Sequence, residues 1–257
     1  MTALLDCRGL SRAFGGLLAL DGLDLAVAEG GILGLIGPNG SGKTTFFNVL
    51  TGLFPATRGE VRFAGEPITD LRPQAVYRAG IARTFQRSRL CLPLSIFDNL
   101  LIGNHKRLDH GLWSNLIDRR ALRRSVEQGL AEARELVRIF DPPLADRLLE
   151  PASRIPMIDR RRIEVCRALI SRPRLLLLDE PSAGMTHDET ARLMDDILQV
   201  KTKLGGLTII LIEHEMSVIE RVTDRCVVLN YGRKIAEGTY AEVARDPSVR
   251  QAYLGLE

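Results

Sequence analysis

The chain has 257 residues, room for one large α/β domain or two small ones, and its hydrophobic fraction of 45% is ordinary for a globular protein. A net charge of +3 is too small to point to nucleic acid, and four scattered cysteines (Cys7, Cys91, Cys166, Cys226) show no metal-ligand spacing and fit buried free thiols in a reducing cytosol. Asp6 and Arg8 precede any long apolar run, so no secretory signal is expected, and no stretch approaches the roughly 18 apolar residues of a membrane span.

Residues 4–10 read as an opening strand, 23–27 alternate like a half-buried strand, and 32–36 form an apolar run of strand length. Next comes Gly37-Pro38-Asn39-Gly40-Ser41-Gly42-Lys43-Thr44-Thr45, the G-x-x-x-x-G-K-[ST] phosphate-binding loop. Its glycines let the loop curl so that backbone N–H groups point at a phosphate chain, and the helix expected from residue 45 to 50 adds its positive dipole end. Lys43 can reach the β- and γ-phosphates, and the Thr44 hydroxyl can hold Mg²⁺. Residues 60–63 alternate and end at a turn at Gly65, 74–81 look helical, and 82–86 return to strand.

From about 93 to 172 there is almost no strand signal. Leu122, Val126, Leu130, Ala133 and Val137 recur at helical spacing between residues 121 and 140, and Pro142-Pro143 ends that helix. Arginine is frequent (Arg119, Arg120, Arg123, Arg124, Arg160, Arg161, Arg162), as on a solvated helix face or a docking surface. Residues 174–179 and 207–212 are continuous apolar runs, the mark of strands buried on both faces of a parallel sheet. A helix is expected between them over 188–204, and Tyr231-Gly232 joins a hairpin of 225–230 and 233–238. The fold expected is α/β: a parallel core sheet carrying the nucleotide, an antiparallel edge, and an inserted helical region. Residues 1–92 and 173–257 would form the core and 93–172 the helical part.

Leu175-Leu176-Leu177-Leu178-Asp179-Glu180 is an apolar strand ending in two acids. Asp179 is placed to hold Mg²⁺, and Glu180 to polarise an attacking water as general base. His214 follows the strand at 207–212. Ligands of open α/β sheets sit at the carboxyl ends of the strands, which makes His214 a candidate for contacting a γ-phosphate. Gln86, at the edge of the helical region, is a candidate to link metal and water to movement of that region.

The order of P-loop, Gln86, helical insert, Asp179-Glu180 and His214 resembles the ATP-binding subunit of an ABC transporter over essentially the whole chain. Phe14-Gly15-Gly16-Leu17, Arg83-Thr84-Phe85-Gln86, Ala183-Gly184-Met185, Ala252-Tyr253-Leu254-Gly255 and a long loop over about 104–120 are similar to the branched-chain (hydrophobic) amino acid uptake family. The resemblance implies ATP and Mg²⁺, with Thr44, Gln86 and Asp179 toward the metal and Phe14 stacking on adenine. It implies transmembrane permease subunits, a second ATP-binding subunit, a solute-binding protein acting indirectly, no nucleic acid, and a peripheral place on the cytoplasmic face of the cell membrane. Alternatives are the ATPase of a lipid or lipopolysaccharide exporter, a soluble non-transport ABC ATPase, or a regulatory module with little turnover. Two departures stand out. Where the family has Leu-Ser-Gly-Gly-Gln, this chain has Ile155-Pro156-Met157-Ile158-Asp159, and Thr186 stands where Asp is usual. Either the helix N-terminus still supplies donors to a partner's phosphate, or the two ATP sites of the dimer are unequal.

Overall fold

The computed structural model describes residues 3–86, 88–104 and 119–254. The chain forms two compact units, residues 1–83, 174–181 and 204–257, and residues 84–173 and 182–203. Residues 84–92 and 182–203 thus join the helical unit rather than the expected core. For 182–203 the reason is visible in the ion pair between Arg162 and Asp196. The long loop expected at 104–120 lies outside the described residues, apart from Asn104 and the backbone of 119–120.

The first unit holds two sheets. β1 (Ala3–Phe14), β2 (Leu17–Ala28), β4 (Arg58–Phe63) and β5 (Glu66–Pro67) form an antiparallel sheet in the order β2-β1-β4-β5. The second sheet also uses β3 (Ile32–Ile36), β6 (Ile81–Arg83), β7 (Leu175–Asp179), β8 (Thr208–Ile212), β9 (Arg225–Asn230) and β10 (Arg233–Gly238), in the order β10-β9-β3-β8-β7-β6. Five of its strands run parallel, and β10 is an antiparallel edge. Every residue of β3, β7 and β8 is buried, as their unbroken apolar sequences require. The strand expected at 82–86 stops at Arg83, and Thr84-Phe85-Gln86 is loop.

Helix α1 (Lys43–Leu50) supplies Phe46 and Phe47, both fully buried, to a core shared with Leu5, Leu20, Leu35, Leu177 and Ile210. Full burial of one such side chain is worth about 2–3 kcal/mol, so the helix that opens at the P-loop is held by its packing rather than by propensity. Helix α2 (Pro73–Ala79) precedes β6.

The second unit is helical: α3 (Ile96–Gly103), α4 (Arg119–Phe140), α5 (Pro142–Ala145), α6 (Met157–Leu169) and most of α7 (His187–Leu204). Pro142 and Pro143 do end α4, and they also open α5, because Asp141 caps it by accepting from the Leu144 amide. The remaining helices of the first unit are α8 (Met216–Val222), α9 (Tyr240–Val243) and α10 (Pro247–Leu254). Among the described residues no helix is long and apolar enough to cross a membrane. Cys7, Cys166 and Cys226 are buried free thiols, whereas Cys91 is exposed.

Candidate functional site

The parallel register of β3, β8 and β7 brings their carboxyl ends together: Gly34 lies beside Leu211, and Asp179 beside Ile212. Residues 37–45, 179–180 and 213–214 therefore emerge at one edge of the first unit. The glycines of the loop are conformationally required. Gly37 (φ 145°) and Gly42 (φ 107°) adopt backbones that side chains rarely take; a Cβ on Gly37 would collide with the Leu229 carbonyl, and one on Gly42 would lie 2.6 Å from the Ala19 carbonyl. The turn at Tyr231-Gly232 braces the loop, since the Gly232 amide donates to the Ser41 carbonyl (3.0 Å) and the Asp21 amide to the Gly232 carbonyl (3.0 Å).

Lys43 Nζ curls over the loop and donates to the carbonyls of Gly37 (2.6 Å) and Pro38 (2.9 Å). Burial holds its ammonium below the ordinary lysine range, against the opposing pull of Glu180 and Asp179. Ser41 Oγ is buried and, among the described residues, has no hydrogen-bond partner. An unsatisfied hydroxyl, a desolvated ammonium and the open N-terminus of α1 together fit a phosphate chain. Thr44 and Asn39 are exposed at the mouth of the loop.

Asp179 is buried, and so is the side chain it pairs with. Arg83 Nη2 donates to Asp179 Oδ2 at 2.5 Å and Nη1 donates to Asn48 Oδ1 at 2.6 Å, while the guanidinium lies 5.3 Å from the centre of the Phe47 ring. Burial pushes the Asp179 carboxyl above the usual range, and Arg83 pulls it back. The Asp179 carboxylate and the Thr44 hydroxyl would suit a hard divalent cation whose remaining ligands came from phosphate and water.

Glu180 takes the left-handed backbone (φ 48°), uncommon without glycine, and its amide donates to the Ile212 carbonyl at 3.0 Å. That turn aims its carboxylate at His214, whose Nε2 lies 2.7 Å from Glu180 Oε1. Glu180 is largely buried and His214 about half exposed, so the pair can hold a water on its outer side and manage that water's proton.

Phe14 ends β1 with its ring in edge contact with Phe54 (5.3 Å) and one face under the Arg12 guanidinium (4.4 Å). Stacking on a base is left to the other face. On the other flank of the loop, a cavity of about 360 Å³ is lined by Pro38, Ser41, Asn230, Tyr231 and Gln251. Burial raises the phenol of Tyr253, on α10, above the ordinary range, against the opposing pull of the Gly37 backbone. Sequence reasoning assigned no role to Arg83, Asn48, Tyr231 or Tyr253 at the loop; the hairpin turn was the only local hint for Tyr231.

Gln86, expected at the metal, belongs to the second unit; its side chain is exposed and its carbonyl accepts from Arg161 (3.1 Å). The same guanidinium donates to Glu164 (2.9 Å) and to the Ala183 carbonyl (3.3 Å). The atypical segment 155–159 opens α6 with Pro156 at the N-cap, so the helix start with its amides survives the loss of Ser and Gly. Asp159 turns to Arg162 (2.9 Å), which also binds Asp141 (3.0 Å) and Asp196 (2.8 Å). The Asp159 charge is thus engaged within the unit. Thr186 opens α7: its amide and hydroxyl bond Glu189, whose own amide bonds the Thr186 hydroxyl at 3.3 Å, a capping box that accounts for threonine there.

A family model described as "ABC transporter" matches residues 20–183, and one described as "Branched-chain amino acid ATP-binding cassette transporter" matches residues 233–257. The chain is 39% identical over 252 residues to the high-affinity branched-chain amino acid transport ATP-binding protein LivG of Salmonella typhimurium, covering 98% of both chains. It is 37% identical to BraF of Pseudomonas aeruginosa, a protein of the same description, again over 98% of both. Among solved structures, a nucleotide-free ATP-binding cassette from an ABC transporter superposes with a TM-score of 0.82 at 29% identity, covering 98% of this chain and 99% of that one. The ADP conformation of an ATP-binding cassette superposes with a TM-score of 0.83 at 30% identity, covering 99% and 100%.

Proposed function

The chain belongs to the ABC transporter family of ATP-binding proteins, and from that membership we propose that it drives a membrane importer for branched-chain or related hydrophobic amino acids. It is an ATPase of α/β fold. One observation carries the reading. The P-loop, Asp179 and the bonded Glu180–His214 pair meet at the carboxyl ends of β3, β7 and β8, on a chain whose residues 233–257 match the branched-chain cassette model.

In this reading the amides of residues 37–45 and Lys43 cradle the β- and γ-phosphates, and Phe14 stacks on adenine. Thr44 and Asp179 would hold Mg²⁺, which would neutralise developing charge on the phosphate oxygens. Glu180 orients the attacking water and takes its proton, while His214 fixes the Glu180 carboxylate and contacts the γ-phosphate. The protein contributes positioning and electrostatics rather than a covalent intermediate. Closure on ATP involves a second ATP-binding subunit and is passed to transmembrane permease subunits at the cytoplasmic face of the membrane, a solute-binding protein delivering the cargo. The relatives, named for branched-chain amino acid transport, lend no support to an exporter or a non-transport ATPase.

Purification of the full chain from native membranes tests this. Permease subunits should co-purify, and the complex in proteoliposomes should take up leucine or a related solute only with ATP. Co-purification with ribosomes or nucleic acid, or ATP-driven export of lipid, would overturn the proposal.

A further inference from the structure

Arg83 ends β6, and its guanidinium meets a carboxylate 96 residues away in sequence. The ion pair is nearly dry, with 5% of the Arg83 and 3% of the Asp179 side chain exposed. The guanidinium does not swing freely, because Asn48 holds its other arm and Phe47 its face. Two cations, Arg83 and Lys43, and one further anion, Glu180, act on Asp179. Among the described residues, no group of three His, Cys, Asp or Glu side chains converges as a metal cage.

A bare divalent cation approaching Asp179 therefore meets a carboxylate already paired, with too few oxygen ligands among the described residues to replace its water. A triphosphate changes both terms by bringing oxygens and several negative charges. We propose that Arg83 is a resident counter-cation that keeps divalent metal away from Asp179 until nucleotide arrives, so that metal loading depends on nucleotide. This makes Arg83 a positioning residue for the metal–nucleotide complex, and it rests on the ATP-site reading above.

The test is a titration of the full-length chain with Mn²⁺ alone, free Mn²⁺ being read by electron paramagnetic resonance. Three proteins are compared: wild type, Arg83→Met, and Arg83→Met with Asp179→Asn. Without nucleotide, Arg83→Met should bind Mn²⁺ about tenfold or more tighter than wild type, because a unit positive charge has gone from beside a dicationic site. The double variant should return to the wild-type value. Equal Mn²⁺ affinity in wild type and a folded Arg83→Met overturns the inference, as does a gain that persists in the double variant. Should Arg83→Met not fold, Arg83→Gln, which keeps a donor but no charge, is held to the same two outcomes. ATP binding by the wild type in EDTA separates the two levels. Its failure would sink the ATP-site reading, whereas ATP binding with unaltered Mn²⁺ behaviour would sink only the role of Arg83.

Discussion

His214 Nε2 and Glu180 Oε1 lie 2.7 Å apart, although the residues are 34 positions apart on different strand ends. The contact exists because Asp179 and Ile212 are register partners and because Glu180 turns through a left-handed backbone. Replacing the carboxylate by an amide keeps this shape and removes the proposed base. Glu180→Gln should retain ATP binding within about twofold and lose at least about 10²-fold in turnover, the usual worth of a positioned general base. Equilibrium nucleotide binding and single-turnover hydrolysis measured together check this, and normal hydrolysis would remove Glu180 from the role.

Lys43 supplies a second expectation, with a defined pH sign. Its folded-state pKa is lowered from 10.5 by burial, so between the lowered value and 10.5 the unfolded chain binds more protons than the folded one. Stability without nucleotide should therefore rise with pH across that window. Lys43→Ala should flatten that rise and weaken ATP binding by about tenfold or more, as expected for a lost charge-assisted phosphate contact. Thermal melts at several pH values, with and without ATP, read both effects; unchanged ATP affinity would contradict the loop assignment.

Gly42 tests the loop's backbone. A Cβ there would meet the Ala19 carbonyl at 2.6 Å and would have to sit at φ 107°. Gly42→Ala should cost about 1–3 kcal/mol of stability and impair nucleotide binding, because the strain falls at the start of α1. Gly40, also exposed at positive φ but with open space around its would-be Cβ, should lose less on the same substitution. Urea unfolding of the two variants side by side decides it.

In the helical unit, Arg162 bridges Asp141, Asp159 and Asp196 with only 11% of its side chain exposed. Arg162→Met would leave three carboxylates facing one another. A loss of about 2–4 kcal/mol is expected, discounted from a fully buried pair because Asp141 is partly solvated. Arg162→Lys should recover part of it. Denaturant midpoints give the comparison, and a change within about 0.5 kcal/mol would show the cluster to be inert.

The P-loop was legible because its chemistry is contiguous: nine residues carry the turn, the lysine and the helix start, with the preceding strand written as an unbroken apolar run. The strands β3, β7, β8 and β9 were legible for the same reason, their burial being visible in their own composition, whereas β10, mostly outside the core, was legible through the hairpin turn at Tyr231-Gly232. Thr84-Phe85-Gln86 was misread as strand because its pattern continues that of Ile81-Ala82-Arg83, while the ladder to β7 pairs only residues 81–83. Helices α3 and α8–α10 are short, and short amphipathic segments carry little periodic signal.

By itself, the sequence determined the phosphate-loop pattern at residues 37–45 and the two acids at 179 and 180 that end a buried strand, since both are local. Tertiary structure alone decided what those residues face. Arg83 reaches Asp179 across β6 and β7, and His214 reaches Glu180 across β8 and β7. The physical reason is that side-chain pairing is set by strand order and register, which many distant apolar contacts fix together, and no window along the chain contains both partners.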